Sequence, residues 1–97
     1  VLSFYTDIIP VKYSLHNIYP NPFNPITHIT YGLPENSNVK IIVYDLTGKQ
    51  LRTLVNEFQT LGYYSIEWDA SSYPSGVYFI KMVCERISQS QKIILLK

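Results

Sequence analysis

Cysteine, alanine and long apolar runs are all scarce in this sequence of 97 residues. The longest uninterrupted aliphatic run covers residues 93–96, far short of the roughly 18 residues that a membrane-spanning helix needs. Cys84 is the only cysteine, which excludes an internal disulfide, and its strand-like surroundings favour a small buried hydrophobe. Ala70 is the only alanine, so the composition disfavours helices.

Charge is scarce as well. Charged residues make up 15% of the chain, the formal net charge is +1, and no basic patch occurs. These values argue against a nucleic-acid partner, which would require a concentrated positive field. Hydrophobic residues make up 46%, too many for a disordered tail. We therefore expect one small domain with a single core.

The residue types that catalyse reactions or bind metals occur only in isolation. His16 and His28 are not spaced as metal ligands, and no cysteine lies near them in the sequence. Asp45 and Asp69 each stand at the start of a turn, where an aspartate bonds the local backbone. No glycine-rich phosphate loop and no Gly-x-Ser-x-Gly motif occurs. We expect no catalysis, no cofactor and no transition metal, while a weak surface calcium site at the two turns stays open.

Strand-forming residues are abundant. Nine tyrosines accompany many β-branched residues, and apolar residues alternate with polar ones. The alternation predicts strands at residues 13–18, 28–33, 39–45, 49–55, 63–69, 76–84 and 91–97, with loops at 56–62 and 85–90. This spacing predicts an all-β fold, a seven-stranded immunoglobulin-like antiparallel β-sandwich. The predicted core is Ile29, Tyr31, Val39, Ile41, Val43, Leu51, Ile66, Trp68, Tyr78 and Ile80, with Trp68 as the anchor between the sheets.

The first twelve residues differ from the rest of the chain. Residues 1–12 contain one proline and no clear periodicity, which predicts a linker from an upstream cargo, with room for a short strand at residues 1–5. The domain is then expected at residues 13–97. Because the chain has neither a starting Met nor a signal-peptide layout, we expect an excised piece of a longer protein whose signal peptide lies upstream. We expect the linker to be the most protease-sensitive segment.

Four segments with unusual sequences follow one another along the chain. The first is stiff and rich in prolines, which makes it unsuited to a sheet interior. The second is a turn in which an aspartate bonds backbone amides and a glycine takes positive φ. The segments are Tyr19-Pro20-Asn21-Pro22-Phe23-Asn24-Pro25, Val43-Tyr44-Asp45-Leu46-Thr47-Gly48-Lys49, Trp68-Asp69 with Ser75-Gly76-Val77-Tyr78-Phe79, and Lys92-Ile93-Ile94-Leu95-Leu96-Lys97.

Together these segments resemble the type A C-terminal sorting domain of the type IX (Por) secretion system of the Bacteroidetes and related phyla. The resemblance runs from about Tyr13 to Lys97, which is nearly the whole chain. Related immunoglobulin-like modules, including the flagellar hook-capping type, share only the middle motifs.

The resemblance implies a domain at the extreme C-terminus of a cargo that crosses the inner membrane by a signal peptide and passes through the periplasm. It implies that an outer-membrane translocon reads the folded domain and that a sortase-like peptidase cuts in the linker. The cargo is then secreted or attached to the cell surface, and the domain is a substrate and not an enzyme. The recognition candidates carried over are Asn21, Pro22, Phe23, Asn24, Pro25, Asp45, Gly48, Gly76, Tyr78, Lys92 and Lys97.

Other interpretations of the sequence stay open. The rival is an accessory binding module of a secreted enzyme, which holds a carbohydrate or docks a neighbouring domain; a passive spacer is a third. An exposed coplanar strip of aromatic side chains would favour the binding module, whereas buried tyrosines would oppose it. Under the sorting hypothesis, the final strand offers an edge to which a receptor can add a strand.

Overall fold

A computed structural model describes residues 10–97 as two antiparallel sheets packed face to face. The strands of residues 10–97 are β1 (Ser14–Leu15), β2 (Ile26–Leu33), β3 (Ser37–Asp45), β4 (Gln50–Gln59), β5 (Gly62–Asp69), β6 (Gly76–Cys84) and β7 (Ile87–Leu95). One sheet has the order β1-β2-β5 and the other the order β4-β3-β6-β7. This arrangement confirms the predicted seven-stranded immunoglobulin-like sandwich for the described part of the chain. The strand expected at residues 1–5 lies outside the described residues.

The core lies between the sheets and is filled by alternate residues of the strands. All of the predicted core residues are buried except Leu51 and Ile66, which are half-buried and pack against the core. Both lie on strands at sheet edges, β4 and β5, whose outer flanks have no neighbouring strand in the described chain. The alternation of apolar and polar residues predicted full burial for both, but a residue on an edge strand has neighbours on one side only.

Several strands are longer than the sequence predicted, and β4 and β7 extend into segments predicted as loops. The prediction of a loop at residues 56–62 is wrong, because β4 continues through Gln59 and an edge strand tolerates polar residues on its solvent face. The predicted connection at residues 85–90 is also wrong, because β7 begins at Ile87. Only a tight turn remains there, in which Glu85 takes a φ of 53°.

Packed structure begins ahead of β1. Pro10 is buried, and a Cβ atom added to Gly32 would lie 3.1 Å from Pro10 Cγ and 3.2 Å from Tyr63 Cε1. Gly32 therefore leaves the space into which Pro10 and Tyr63 pack. The end of the region assigned to the linker is thus held against β2, and the rest of that region, residues 1–9, lies outside the described chain.

Candidate recognition surface

Strand register brings many of the recognition candidates to one end of the sandwich. Asp45, at the end of β3, lies opposite Tyr78 near the start of β6. Gly76 lies opposite Leu95 at the end of β7. In the other sheet, β2 begins where β5 ends. We call this end of the molecule, with its turn at 45–48, its loop at 69–76 and the last residues of β7, the motif end.

An aromatic cluster joins the two sheets at the motif end. Trp68 is 2% exposed, and its ring centroid lies 5.7 Å from that of Phe23, 5.6 Å from that of Tyr73 and 5.7 Å from that of Tyr78. The Tyr78 hydroxyl donates to the Pro74 carbonyl four residues upstream, at 2.5 Å. This bond corresponds to the tyrosine corner of immunoglobulin-like sandwiches. Burial of the ring raises the pKa of Tyr78, with a further contribution from the nearby Asp45 carboxylate.

The turn between β3 and β4 is built around one carboxylate. Asp45 Oδ1 accepts hydrogen bonds from the Thr47 hydroxyl (2.6 Å), the Thr47 amide (2.9 Å) and the Lys49 amide (3.0 Å). Gly48 takes a φ of 88° and donates its amide to the Asp45 carbonyl. The Thr47 hydroxyl and the Lys49 amide hold the pKa of the Asp45 carboxyl below its ordinary value. The turn predicted from the sequence is present, and its aspartate and glycine shape the backbone.

A second carboxylate turn lies beside the last residue. Asp69 Oδ1 accepts from the Ser71 hydroxyl and from the Ser71 amide at 2.9 Å, and these bonds lower the pKa of Asp69. Lys97 Nζ donates to the Ser71 carbonyl (2.5 Å), and the Lys97 amide donates to Ser75 Oγ (2.9 Å). The last residue is thus fixed to the loop between β5 and β6.

The proline segment lies along the outer edge of β7. Asn21 Nδ2 donates to the Lys92 carbonyl (3.1 Å), and the Ile94 amide donates to Asn21 Oδ1 (3.0 Å). The Phe23 amide donates to the Ile94 carbonyl (2.9 Å), and the Leu96 amide donates to the Phe23 carbonyl (3.0 Å). The Asn21 side-chain amide therefore donates to and accepts from the backbone of β7, as a neighbouring strand would, and the backbone of Phe23 extends this pairing. The segment is not inside a sheet, but it satisfies the end of β7.

Two glutamines of β7 join it to β1, which belongs to the other sheet. The Leu15 amide donates to Gln89 Oε1 (2.8 Å), and Gln89 Nε2 donates to the Tyr13 carbonyl (2.9 Å). The Ile18 amide donates to Gln91 Oε1 (3.1 Å), and Gln91 Nε2 donates to the Leu15 carbonyl (3.0 Å). We call this side of the sandwich, where residues 13–23 cover β7, the closed flank. Neither glutamine was predicted as a functional residue, although the alternation of Ser with Gln before Lys92 was an available signal.

The opposite side of the sandwich, formed by β4 and β5, has no such cover within the described chain, and we call it the open flank. Residues 52–54 of β4 and residues 66–69 of β5 line a groove of about 460 Å³. Trp68 Nε1 is buried near this groove and has no hydrogen-bond partner among the described residues. One cation and two anions line the groove, Arg52, Glu67 and Asp69. Because both signs of charge are present, the groove favours neither anionic nor cationic ligands.

The remaining candidates differ in their surroundings. Pro22 and Asn24 are exposed, as is the side chain of Lys92, whereas Phe23 is 2% exposed. The Pro25 carbonyl accepts the Ala70 amide (2.9 Å), which ties the proline segment to the end of β5. The structure therefore joins the first, third and fourth motif segments by direct bonds. The Asp45 turn reaches them through the pairing of β3 with β6.

The described residues provide few sites for other chemistry. Residues 10–97 contain no group of three or more His, Cys, Asp or Glu side chains able to hold a metal ion. Burial raises the pKa of the Cys84 thiol to about 11, which makes it a poor nucleophile at neutral pH. The exposed aromatic residues Tyr19, Phe58 and Tyr63 do not stack on one another in the described chain. The coplanar strip that would favour a carbohydrate-binding module is thus not observed there.

These features define a β-sandwich module whose distinctive residues are gathered at one end. A family described as "secretion system C-terminal sorting domain" matches residues 17–96, and the chain belongs to that family. The resemblance to type IX sorting domains is thereby confirmed, and the parent protein is one that this system exports. Among curated proteins, no significant match to the chain is found. No helix in residues 10–97 has the length and apolar character needed to span a membrane.

Proposed function

We propose that the motif end is the surface through which the type IX machinery reads the folded domain, and that the domain performs no catalysis itself. The observation that carries the proposal is the pairing of Asn21 and Phe23 with the last residues of β7. This pairing unites the proline segment and the final strand, which are far apart in sequence, into one preformed surface. A preformed surface binds a receptor without the entropic cost of ordering a flexible peptide.

The chemistry of the motif end suits recognition by a protein. Leu46, in the turn after β3, and Leu96, just after β7, are 68% and 55% exposed, and the lysines at positions 92 and 97 lie on and just after β7. Exposed apolar residues surrounded by charges are typical of protein-binding surfaces. The receptor proposed here is the outer-membrane translocon, which the domain meets after its parent protein has entered the periplasm.

The upstream cargo then determines what the exported protein does. A sortase-like peptidase cuts in the linker, and the cargo is released or attached to the cell surface. The domain is the peptidase's substrate. The fold suits a domain that is recognised while the cargo carries the activity. The residues of the motif end build turns, an aromatic cluster and a strand edge, and together these give the surface a defined shape.

An export assay tests the proposal. The chain is fused to a fluorescent cargo behind a signal peptide and expressed in a bacterium with a type IX system. The test variant Lys92→Glu/Lys97→Glu changes two cations at the motif end. The matched control Lys40→Glu/Arg86→Glu makes the same change of charge at exposed positions away from it. We expect the test variant to fold, as shown by a cooperative melt, but to remain in the periplasm, and we expect the control to be exported.

The outcomes separate the parts of the proposal. If the unaltered fusion stays in the periplasm of a host that exports its own cargo, the sorting function is wrong. If the unaltered fusion and both variants are exported equally, the machinery does not read the motif end through its lysines, and the proposed surface is wrong.

A further inference from the structure

On the closed flank, residues 13–21 bond to β7 through side-chain amides, and backbone pairing with β7 is seen at Phe23. β1 has only two residues, and its other contacts with the sandwich include bonds from Gln89 and Gln91 of β7. Gln91 Nε2 also donates to the His16 carbonyl (2.7 Å). Each glutamine uses both its oxygen and its nitrogen on the backbone of the opposite segment. The two sheets are therefore joined here by uncharged polar bonds between a leading segment and the last strand.

Asn21 makes the same kind of contact in the opposite direction. Its side-chain amide bonds the backbone of β7, whereas Gln89 and Gln91 of β7 bond the backbone of the leading segment. The three amides thus interlock residues 13–21 with residues 89–94. We call Asn21, Gln89 and Gln91 the amide latch. A single displacement of β7 would break every bond of the latch together.

The latch lies where the domain meets the upstream chain. Pro10 packs beside Gly32 and Tyr63, and β1 follows within a few residues. Leu15, Ile18 and Phe23 anchor this segment in the core. Its pairing with β2 is limited to the two residues of β1 and backbone bonds at His16 and Tyr19. Opening such a peripheral segment costs less free energy than global unfolding, and the cost depends on whether β7 stays bonded to it. An opened, extended segment is what a peptidase requires, whereas a bonded strand resists cleavage.

We propose that the amide latch couples the state of β7 to the accessibility of the leading segment, residues 10–23. A partner that binds β7 and displaces it breaks the hydrogen bonds of the latch and exposes the leading segment to a peptidase. Recognition of the last strand therefore precedes cleavage of the linker. The inference rests on the proposed sorting function for the identity of the partner. The coupling itself is a property of the chain and is measurable without any partner.

Hydrogen exchange of individual amides in the 97-residue chain tests the coupling. In Gln89→Leu/Gln91→Leu we expect at least about tenfold faster exchange at the Leu15 and Ile18 amides, because both lose their acceptors. Coupling further predicts faster exchange at Ile94, which touches neither glutamine. The control Gln50→Leu, at an exposed position on β4, should leave all three amides unchanged.

The reverse experiment uses the other half of the latch. Asn21→Ala removes the acceptor of the Ile94 amide, and coupling is reciprocal, so exchange should also rise at Leu15. If exchange becomes faster only at the Ile94 amide, Asn21 stabilises its own bonding partner alone, and the coupling is disproved. Exchange at Ile80, in the central strand β6, reports whether either variant still folds. Should the double glutamine variant lose this protection, the Asn21→Ala result decides the question alone, since Asn21 is exposed.

An export assay tests the consequence for processing. In the fusion described above, the glutamine variant should yield domain-free cargo at several times the amount from the Gln50→Leu control. Processing and export identical to the control would disprove the regulatory role. If the unaltered fusion is not exported, the sorting function fails, while the exchange measurements still decide the coupling.

Discussion

The closed and open flanks of the sandwich solve the same structural problem in different ways. Both are formed by strands at sheet edges, whose outward backbone groups need partners or solvent. On the closed flank, Asn21 and Phe23 satisfy the end of β7, and Gln89 and Gln91 bridge to β1. On the open flank, β4 and β5 border a groove with no cover among the described residues.

The difference shows where the distinctive residues of the sequence are used. The proline segment and the final strand, two of the four motif segments, meet on the closed flank, whereas β4 carries no motif residue along its length. The open flank instead protects its edges with charged residues such as Arg52 and Glu67, a common defence against edge-to-edge pairing. Two motif segments therefore build the covered edge, while the third reaches the open flank through Trp68 and Asp69 of β5.

The largest expected effect comes from a matched pair of phenylalanines. Phe23 on the closed flank is 2% exposed and contacts Trp68, whereas Phe58 on β4 is 61% exposed. Phe23→Ala should lower the free energy of unfolding by about 3–5 kcal/mol. Phe58→Ala should change it by about 0.5 kcal/mol or less. Urea titration of both variants measures the difference.

The comparison between the flanks depends on that result. Equal losses from the two phenylalanine variants would mean that the proline segment is not packed as described, and the closed flank would lose its distinction. A melt that loses cooperativity only in Phe23→Ala would sharpen the distinction, because it would show that the leading segment detaches before the core unfolds.

Gly32 gives a smaller effect on the leading segment. Gly32→Ala places a methyl group 3.1 Å from Pro10 and 3.2 Å from Tyr63, so one of the two must move. We expect a loss of about 1–2 kcal/mol from this overpacking. Limited proteolysis should then cut near Pro10 sooner than in the unaltered chain. Gly48→Ala is the control: it meets no atom within 4 Å, and its cost comes from the φ of 88°. Equally fast cleavage near Pro10 in that control would show that packing of Pro10 against Gly32 is not what protects this site.

The fold was largely predictable because most strands carry strong alternation. The bounds of β6 agree with the prediction, since Tyr78, Ile80 and Met82 point inward and are buried. The start of β7 could not be predicted in the same way. Its inward positions hold Gln89 and Gln91, whose polar side chains bond backbone groups of residues 13–18. A polar inward face removes the hydrophobic contrast on which the prediction relies.

The motif end was predictable in composition but not in arrangement. The sequence suggested turns at Asp45 and Asp69, because each turn is determined by residues close together in the chain. The bonds between Asn21 and β7 join residues 71 and 73 apart in the sequence. No local pattern distinguishes an Asn that caps a distant strand edge from an Asn that shapes a turn. Only the topology, which places the proline segment beside β7, assigns that role.

Two tyrosines offer a finer comparison of single hydroxyl groups. Tyr78 and Tyr64 each donate to a carbonyl four residues upstream, but the bond of Tyr78 is partly buried and that of Tyr64 is exposed. Tyr78→Phe should therefore cost about 1 kcal/mol, and Tyr64→Phe about half of that or less. Each variant keeps its aromatic ring, so thermal melts of the two variants measure the contribution of each hydroxyl. A greater loss from Tyr64→Phe would contradict the tyrosine-corner role given to Tyr78.

The smallest expected effect is a dependence on pH that differs between the closed flank and the two turns bordering the strands of the open flank, the turn that leads into β4 and the turn that follows β5. The carboxylates of Asp45 and Asp69 end β3 and β5, and hydrogen bonds lower the pKa of both below the ordinary value of 3.8. A lowered pKa in the folded state means that the unfolded state binds more protons in acid. The contribution of these turns is therefore present above the ordinary carboxyl pKa and is lost as the pH falls through the lower folded values.

The closed flank should not share this response. Its latch consists of Asn21, Gln89 and Gln91, whose amides do not titrate, so protection of the Leu15 and Ile94 amides should stay constant as the pH falls. Protection of the Thr47 amide, which donates to Asp45, should decline in acid. Protection factors measured between pH 5 and pH 3, each relative to the intrinsic exchange rate, compare the two flanks in one sample. Asp45→Asn/Asp69→Asn should remove most of the decline in melting temperature over this range. A parallel loss of protection at Leu15 and Thr47 in the unaltered chain would show that acid opens the sandwich as a whole, and that the flanks are not independent.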